Sequence, residues 1–221
     1  MEMKTPGLES KTKLVAWMAS NCGSTSWPRT KFVNELKKYI QLDAYGKCGN
    51  LTCPKKKCGT ARPDLTCSTC NLNAYKFYLS LENNECEDYI TEKMWRNALQ
   101  NGVVPIVYGA RKEDYERLAP PNSFIYAGDF ISVKSLAEYL IKLDSSPKLY
   151  SKFFEWRTHG ALYRGPNISL SGLCHVLPLI DQVQTGQLEK KPITSHTWYN
   201  SCRFSPSTHR NRPELKDWKP W

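Results

Sequence analysis

The side chains best suited to chemistry in this sequence lie close together, between positions 82 and 93. Tyr89, Glu92 and Lys93 fall at i, i+3 and i+4, so a helix would place them on one face. A lysine ammonium can bind phosphate as a point charge, and a carboxylate can bind hydroxyl groups or stabilise developing positive charge. Glu82 and Asn83 come just before this face. These five residues predict a ligand site with a cation in it.

A strand–helix–strand unit is predicted to position these residues. Tyr75–Leu81 and Val103–Tyr108 are aromatic and apolar runs with the length of buried strands. Asp88 is a suitable N-cap for a helix between them, and Asn101-Gly102 would end it. That helix would bury a stripe of Ile90, Met94, Trp95, Ala98 and Leu99. In such a βαβ unit, ligands bind beyond the carboxyl ends of the strands. An exposed helix with ion pairs would show the same spacing.

An earlier segment could hold phosphate in a similar way. Lys13–Ala19 predicts the first buried strand, Ser20–Pro28 is a loop of small polar residues, and a helix begins near Arg29. Free backbone N–H groups and the helix dipole converge where such a loop enters a helix. Arg29 could bind phosphate there or serve only surface solubility. Tyr45, in the strand end predicted at Leu42–Gly46, could stack on a base or be a half-buried strand residue.

Residues 47–73 form a cysteine-rich insertion. The chain has nine cysteines, of which this insertion holds Cys48, Cys53, Cys58, Cys67 and Cys70. The Cys67-x-x-Cys70 spacing would suit zinc, but the other spacings are poor for a second ligand pair and no histidine is near. Disulfides are therefore the favoured interpretation, with Cys22 or Cys86 as an outside partner.

The composition is that of an ordinary globular protein with a net charge of +10. The charge predicts an anionic partner, but the basic residues are scattered, which favours one anion site over a nucleic-acid surface. The cysteines and two N-glycosylation sequons, at Asn50 and Asn167, indicate an oxidising lumen. The sequence shows no signal peptide and no apolar run of membrane length, so a lumenal protein would need a targeting segment upstream.

The remaining pattern completes the predicted α/β organisation. Ser123–Ala127 predicts a strand, whereas Ser132–Leu143, with Ser132 as its cap, and Pro147–Trp156 predict helices. The four histidines have no mutual ligand spacing, and no metal site is expected. The predicted organisation is a disordered N-terminus at 1–12, a Rossmann-like parallel-sheet domain at 13–157 and an irregular extension at 158–221.

Several of these runs resemble one enzyme family. The run SLENNECEDYITEK, at 80–93, is similar to the donor-binding motif of the α1,3-fucosyltransferases. Trp17, Ser20 and Asn21 match the WxxSN strand end of that family, and its APPxSFI and FFEWR runs follow in order. The AYGKCGN stretch resembles the branch that acts on the N-glycan core. Family members often carry a Cys-x-x-Cys pair near Cys174, but only that first cysteine is present.

The resemblance implies an inverting, GDP-fucose-dependent enzyme with the two-domain GT-B fold, of which this chain would be the C-terminal, donor-binding half. The sequence contains no Asp-x-Asp motif, so Arg29 and Lys93 would hold the diphosphate in place of a chelated metal. Glu92 would be the catalytic carboxylate, and the general base would lie outside this chain. The expected donor-binding residues are Ser20, Asn21, Arg29, Tyr45, Glu82, Asn83, Tyr89, Glu92 and Lys93.

The resemblance also implies the partners and the compartment. The acceptor would be a GlcNAc of a glycoprotein N-glycan, with no nucleic acid involved and no metal required, a divalent ion at most stimulating transfer. The whole enzyme would be a type II membrane protein of the Golgi, attached only through an anchor outside this chain. The isolated chain is expected to bind GDP-fucose without transferring fucose. The alternatives are a non-catalytic sugar-nucleotide-binding fragment and a zinc-stabilised nucleic-acid module.

Overall fold

The computed structural model describes residues 10–57, 66–68, 70–162, 173–187 and 191–202. Its strands, in chain order, are β1 (Lys13–Met18), β2 (Leu42–Tyr45), β3 (Lys55–Lys57), β4 (Thr66–Ser68), β5 (Tyr75–Leu81), β6 (Val104–Tyr108) and β7 (Ile125–Tyr126). Five of them form one sheet in the order β2-β1-β5-β6-β7, and every neighbouring pair is parallel. The predicted Rossmann-like parallel sheet is therefore confirmed. β3 and β4 form a separate antiparallel pair inside the cysteine-rich insertion.

Helices cover both faces of the sheet. They are α1 (Arg29–Leu36), α2 (Lys112–Leu118), α3 (Val133–Asp144), α4 (Pro147–Ser151), α5 (Leu173–Gln184) and α6 (Thr197–Ser201), with a π-helix at Lys93–Ala98. Shorter 3-10 helices span Leu72–Ala74, Leu99–Asn101, Ala127–Asp129, Lys152–Thr158 and Ile193–Ser195. Ser132 caps α3 as predicted, because its Oγ accepts a hydrogen bond from the Ser135 N–H at 3.1 Å.

The two central strands are buried on both faces. Every residue of β6 is buried, and so is every residue of β5 except Lys76. Phe77 and Leu79 pack on one face with Leu36 of α1 and Leu140 of α3. Tyr78 packs on the other face, in a second cluster that includes residues of the π-helix and its approach to β6. Strands covered on both faces are nearly continuous apolar runs, which is why the sequence revealed them.

The connection between β5 and β6 differs from the predicted α-helix. Asp88 does not cap it, since its backbone φ of 57° lies in the left-handed region and the helical turns begin only at Glu92. The Glu82 carboxylate instead accepts the Thr91 N–H at 2.8 Å, just before the helix starts. A π-helix follows, a form that often occurs at functional sites. The predicted end is correct, because Gly102 adopts the left-handed conformation.

The two ends of the chain also differ from expectation. Lys11, predicted to be disordered, is buried, and its ammonium donates to the Tyr75 carbonyl at 2.9 Å. The C-terminal extension is not irregular throughout, because Leu173–Gln184 is helical.

The helix expected over Pro147–Trp156 is split into α4 and a 3-10 helix. Asn167 lies outside the described residues. Within the ranges given above, no helix combines the length and apolar character that crossing a bilayer requires.

Three disulfides occur among the described residues, joining Cys22 to Cys48, Cys53 to Cys70 and Cys86 to Cys202. The disulfide interpretation of the insertion is thus confirmed for Cys48, Cys53 and Cys70. Both proposed outside partners are used, but Cys86 pairs with the C-terminal segment rather than with the insertion. No cluster of three potential metal ligands occurs among the described residues. Asn50, in the first sequon, is exposed.

The disulfides predict a definite thiol count. Since six of the nine cysteines are paired, at most three thiols should react with a thiol reagent after denaturation without reductant. All nine should react after reduction, which is the matched control. Peptide mapping of the unreduced protein should recover the three cross-links. Nine reactive thiols before reduction, together with one bound zinc per chain, would contradict the disulfides and restore the zinc interpretation.

Candidate functional site

Two loops interlock at the carboxyl edge of the sheet. One follows β1 and contains Ser26 and Trp27, and the other follows β5 and contains Glu82 and Asn83. The Ser26 N–H donates to the Asn83 carbonyl at 3.0 Å, and the indole N–H of Trp27 donates to the Glu82 carbonyl at 3.0 Å. The Ser26 hydroxyl in turn accepts the Glu85 N–H at 2.9 Å. These bonds fix the two candidate ligand-binding loops relative to one another.

Glu82 lies at the centre of this edge, and its side chain is 1% exposed. Its carboxylate accepts hydrogen bonds from the Lys93 ammonium at 2.7 Å and from the Thr91 N–H and hydroxyl, each at 2.8 Å. Glu82 therefore uses its carboxylate oxygens within the protein in this arrangement, and its direct contact with a ligand stays a prediction. It positions Lys93 and the start of the π-helix. Gly109 makes room for it, since a Cβ there would lie 2.6 Å from the Glu82 Cβ.

Lys93 and Glu92 are brought together as the sequence predicted. The Lys93 side chain is 14% exposed, and its ammonium also donates to the Thr91 hydroxyl at 2.8 Å. The Glu92 carboxylate lies 3.6 Å from the same ammonium and is half exposed. Partial burial raises the pKa of Glu92, but the Lys93 ammonium and the Thr91 hydroxyl outweigh that effect and hold the pKa below its ordinary value. Glu92 is therefore an ionised carboxylate that a ligand can reach.

Arg29 is buried rather than on a surface, at 2% exposure, which corrects the interpretation that it serves only surface solubility. Its guanidinium donates to the Leu81 carbonyl at 2.9 Å and to the Asn21 carbonyl at 2.6 Å. Its Nε has no hydrogen-bond partner among the described residues. Burial lowers the pKa of Arg29, and the Glu82 charge opposes that shift. Arg29 therefore joins the ends of β1 and β5 and places a buried positive charge beneath their loops.

A cavity of about 340 Å³ opens at the start of α1. Its lining includes Cys22, Ser26, Pro28, Arg29 and Lys31, so the cavity lies where the loop after β1 enters α1. Asn21 closes the loop above it, since its amide accepts the Ser24 N–H at 3.0 Å and donates to the Ser24 carbonyl at 2.8 Å. Ser20 is exposed at the strand end. The carboxyl edge thus contains a concave space beside the predicted phosphate-binding loop.

Two predicted site residues, Tyr45 and Tyr89, lie outside the contact network formed by Glu82, Thr91, Glu92 and Lys93. The Tyr45 hydroxyl is 2.7 Å from that of Tyr75, and the two rings meet edge to face. Tyr45 thus has the half-buried role that was one of its two interpretations. Tyr89 is half-buried with its ring 6.5 Å from that of Trp198, which belongs to α6. Sequence reasoning missed Thr91 and Trp27, although Thr91 stands two positions before Lys93 in the same motif.

A parallel α/β sheet that gathers a lysine, a carboxylate and a helix start at its carboxyl edge has the architecture in which ligands bind beyond the ends of the strands. Comparison with known proteins identifies the family to which this domain belongs. Residues 8–196 match the family described as glycosyltransferase family 10 (fucosyltransferase) C-term. The chain belongs to this family, and the resemblance inferred from its motifs is confirmed.

Individual relatives agree with this assignment. Glycoprotein 3-alpha-L-fucosyltransferase A of Drosophila melanogaster is 49% identical over 151 residues, which are 68% of this chain and 29% of that protein. Alpha-(1,3)-fucosyltransferase C of the same organism is 36% identical over 195 residues, 88% of this chain and 42% of that protein. A crystal structure of an α1,3-fucosyltransferase has the same fold, with a TM-score of 0.53, 20% identity and coverage of 80% of this chain and 46% of that one. The chain thus spans less than half the length of these relatives.

Proposed function

We propose that this chain is the donor-binding half of an enzyme that transfers L-fucose from GDP-fucose to a GlcNAc of a glycoprotein glycan, in α1,3 linkage and with inversion. The observation that carries the proposal is the Lys93 ammonium, which Glu82 and Thr91 hold beside the exposed Glu92 carboxylate. This cluster lies at the carboxyl edge of the sheet, inside the region that matches the fucosyltransferase family. The names of the relatives supply the sugar and the linkage.

The chemistry of fucosyl transfer assigns a role to each group. Negative charge develops on the leaving GDP, and Lys93 stabilises it as a point charge, with the buried Arg29 contributing through its field. Positive charge develops on the fucosyl ring, where the ionised Glu92 stabilises it. Tyr89 and Asn83 orient the donor, and the loop at Ser20 and Asn21 receives phosphate. The general base that takes the acceptor proton belongs to a part of the enzyme outside this chain.

The proposed setting is the Golgi lumen. Three disulfides and an exposed asparagine in a sequon suit an oxidising, glycosylating compartment, and we propose that Asn50 and Asn167 carry N-glycans. The proposed acceptor is the GlcNAc of an N-glycan core, since the first relative is a glycoprotein fucosyltransferase. Protein cations hold the diphosphate, so a divalent metal would stimulate transfer rather than be required for it.

Exchange of Lys93 for methionine tests the proposal. Methionine keeps most of the apolar stem but removes the charge, so GDP affinity in calorimetry should fall about tenfold or more, as expected for a lost charge-assisted contact. Arg96→Met is the matched control, because Arg96 is an exposed cation on the same π-helix. Its GDP affinity should stay within about twofold of the parent, as for most surface substitutions. A Lys93→Met protein that is folded by circular dichroism and binds GDP like the parent would remove Lys93 from the site.

A further inference from the structure

The loop Cys86–Ile90 joins the two parts of the candidate site. Glu82 and Asn83 precede this loop at the end of β5, Tyr89 lies within it, and Lys93 lies on the π-helix that follows. Asp88 within it has a backbone φ of 57°, a conformation that is uncommon for a residue other than glycine. A loop in such a conformation needs contacts that hold it there. The structure supplies these contacts from two sides.

One side is the C-terminal segment that contains α6. The Cys86–Cys202 disulfide ties this segment to the loop, and both cysteines are buried. Next to it, the Glu87 N–H donates to the Ser201 hydroxyl at 3.0 Å. The Trp198 ring meets the Tyr89 ring edge to face, at 6.5 Å between centroids. A covalent bond, a hydrogen bond and an aromatic contact thus join three loop residues, Cys86, Glu87 and Tyr89, to α6 and its C-cap.

The other side is α2 together with its N-cap residue, Arg111. The buried Asp114 carboxylate accepts the Asp88 N–H at 3.2 Å, and Arg117 pairs with the Asp88 carboxylate. Arg111 reaches the Glu87 carboxylate at 2.5 Å. These contacts hold the backbone of the loop, but none of the bonds from α2 goes to the Tyr89 side chain among the described residues. The Trp198 ring, on the α6 side, does contact that side chain.

We infer that Trp198 and Cys202 are positioning residues for the donor site, which hold Tyr89 and its loop in place. This inference rests on the proposed function, because it takes Tyr89 as a donor-binding residue. Residues 197–202 lie beyond the region 8–196 that matches the fucosyltransferase family. The α6 segment thus lies at and beyond the end of the matched region, and it acts on GDP-fucose through Tyr89 rather than by direct contact.

The test uses the purified 221-residue chain and two measurements. Hydrogen exchange of residues 86–92 reports whether the loop is held, and calorimetry with GDP-fucose reports whether the donor site depends on it. Trp198→Ala, and Cys86→Ser with Cys202→Ser, should both speed exchange in this loop and weaken GDP-fucose binding by about threefold to tenfold, the usual size of coupling between contacting residues. Trp198→Phe should restore most of the affinity because it keeps an aromatic ring. Cys53→Ser with Cys70→Ser is the control, since it removes a disulfide that does not involve the loop.

A double-mutant cycle separates positioning from a general loss of stability. If Trp198 acts through Tyr89, then Trp198→Ala should weaken GDP-fucose binding much less in a Tyr89→Ala background than in the parent. An equal loss of GDP-fucose affinity in both backgrounds would overturn the inference, and so would unchanged exchange and affinity in the Trp198 and cysteine variants. In either case, GDP-fucose binding by the parent would still support the proposed function. A parent chain that does not bind GDP-fucose, although loop exchange responds to the variants, would overturn the proposed function and, with it, the donor-positioning role.

Discussion

Replacing Glu82 with glutamine is expected to lower the free energy of unfolding by about 3–5 kcal/mol, the usual cost of removing one partner of a buried ion pair. The Glu82 carboxylate is almost fully buried and accepts bonds from Lys93 and Thr91. Glutamine has nearly the same shape, but its NH₂ group would face one of these donors. The Lys93 ammonium, only 14% exposed, would then lack its nearest counter-charge.

Glu92→Gln is the matched control for this measurement. Its carboxylate approaches the same ammonium, at 3.6 Å, but its side chain is half exposed. Exposed ion pairs contribute about 0–1 kcal/mol because water screens them, so urea unfolding of Glu92→Gln should differ little from the parent. Equal unfolding free energies for the two variants would contradict the positioning role of Glu82. Such a result would return Glu82 to the ligand-contacting residues, as the sequence alone suggested.

The strands were predictable because their signal is local. β5 spans Tyr75–Leu81 as the sequence indicated, and β6 begins one residue later than expected, at Val104. Both are apolar runs that a parallel sheet buries on both faces. Ser132, the cap of α3, was equally visible because a cap acts on residues three positions away. The pairing of Glu92 with Lys93 followed from their adjacency in sequence.

The errors arose where distant residues determine the outcome. Asp88 is a good N-cap by type, but the Glu82 carboxylate takes the Thr91 N–H that a cap would serve, and only the fold brings it there. Arg29 has the sequence position of a surface residue, yet its partner Leu81 lies 52 positions away. The same reason explains the cysteines. Spacing favoured disulfides over zinc, but connectivity depends on which loops the sheet brings together.

Arg29→Met is the second variant with a large expected effect, a loss of about 3 kcal/mol of unfolding free energy. The substitution leaves the buried Leu81 carbonyl and the partly buried Asn21 carbonyl without this donor, and an unsatisfied buried group costs about 1–3 kcal/mol. It also removes the Nε donor that has no hydrogen-bond partner among the described residues, which offsets part of the loss. Methionine retains most of the volume, so the cavity contribution is small.

Lys31→Met is the control, since Lys31 is exposed on the same helix, two positions away. It should change the free energy of unfolding by less than about 0.5 kcal/mol. Urea unfolding of both variants, together with GDP calorimetry of Arg29→Met, then separates the two roles of Arg29. If Arg29 is a structural anchor that also supplies a buried charge, Arg29→Met should lose both stability and GDP affinity, because the loop that receives phosphate depends on Arg29. If Arg29 only contacted the ligand, Arg29→Met would lose GDP affinity but not stability. A parent-like unfolding curve for Arg29→Met would show that its two bonds to backbone carbonyls do not hold the ends of β1 and β5 together.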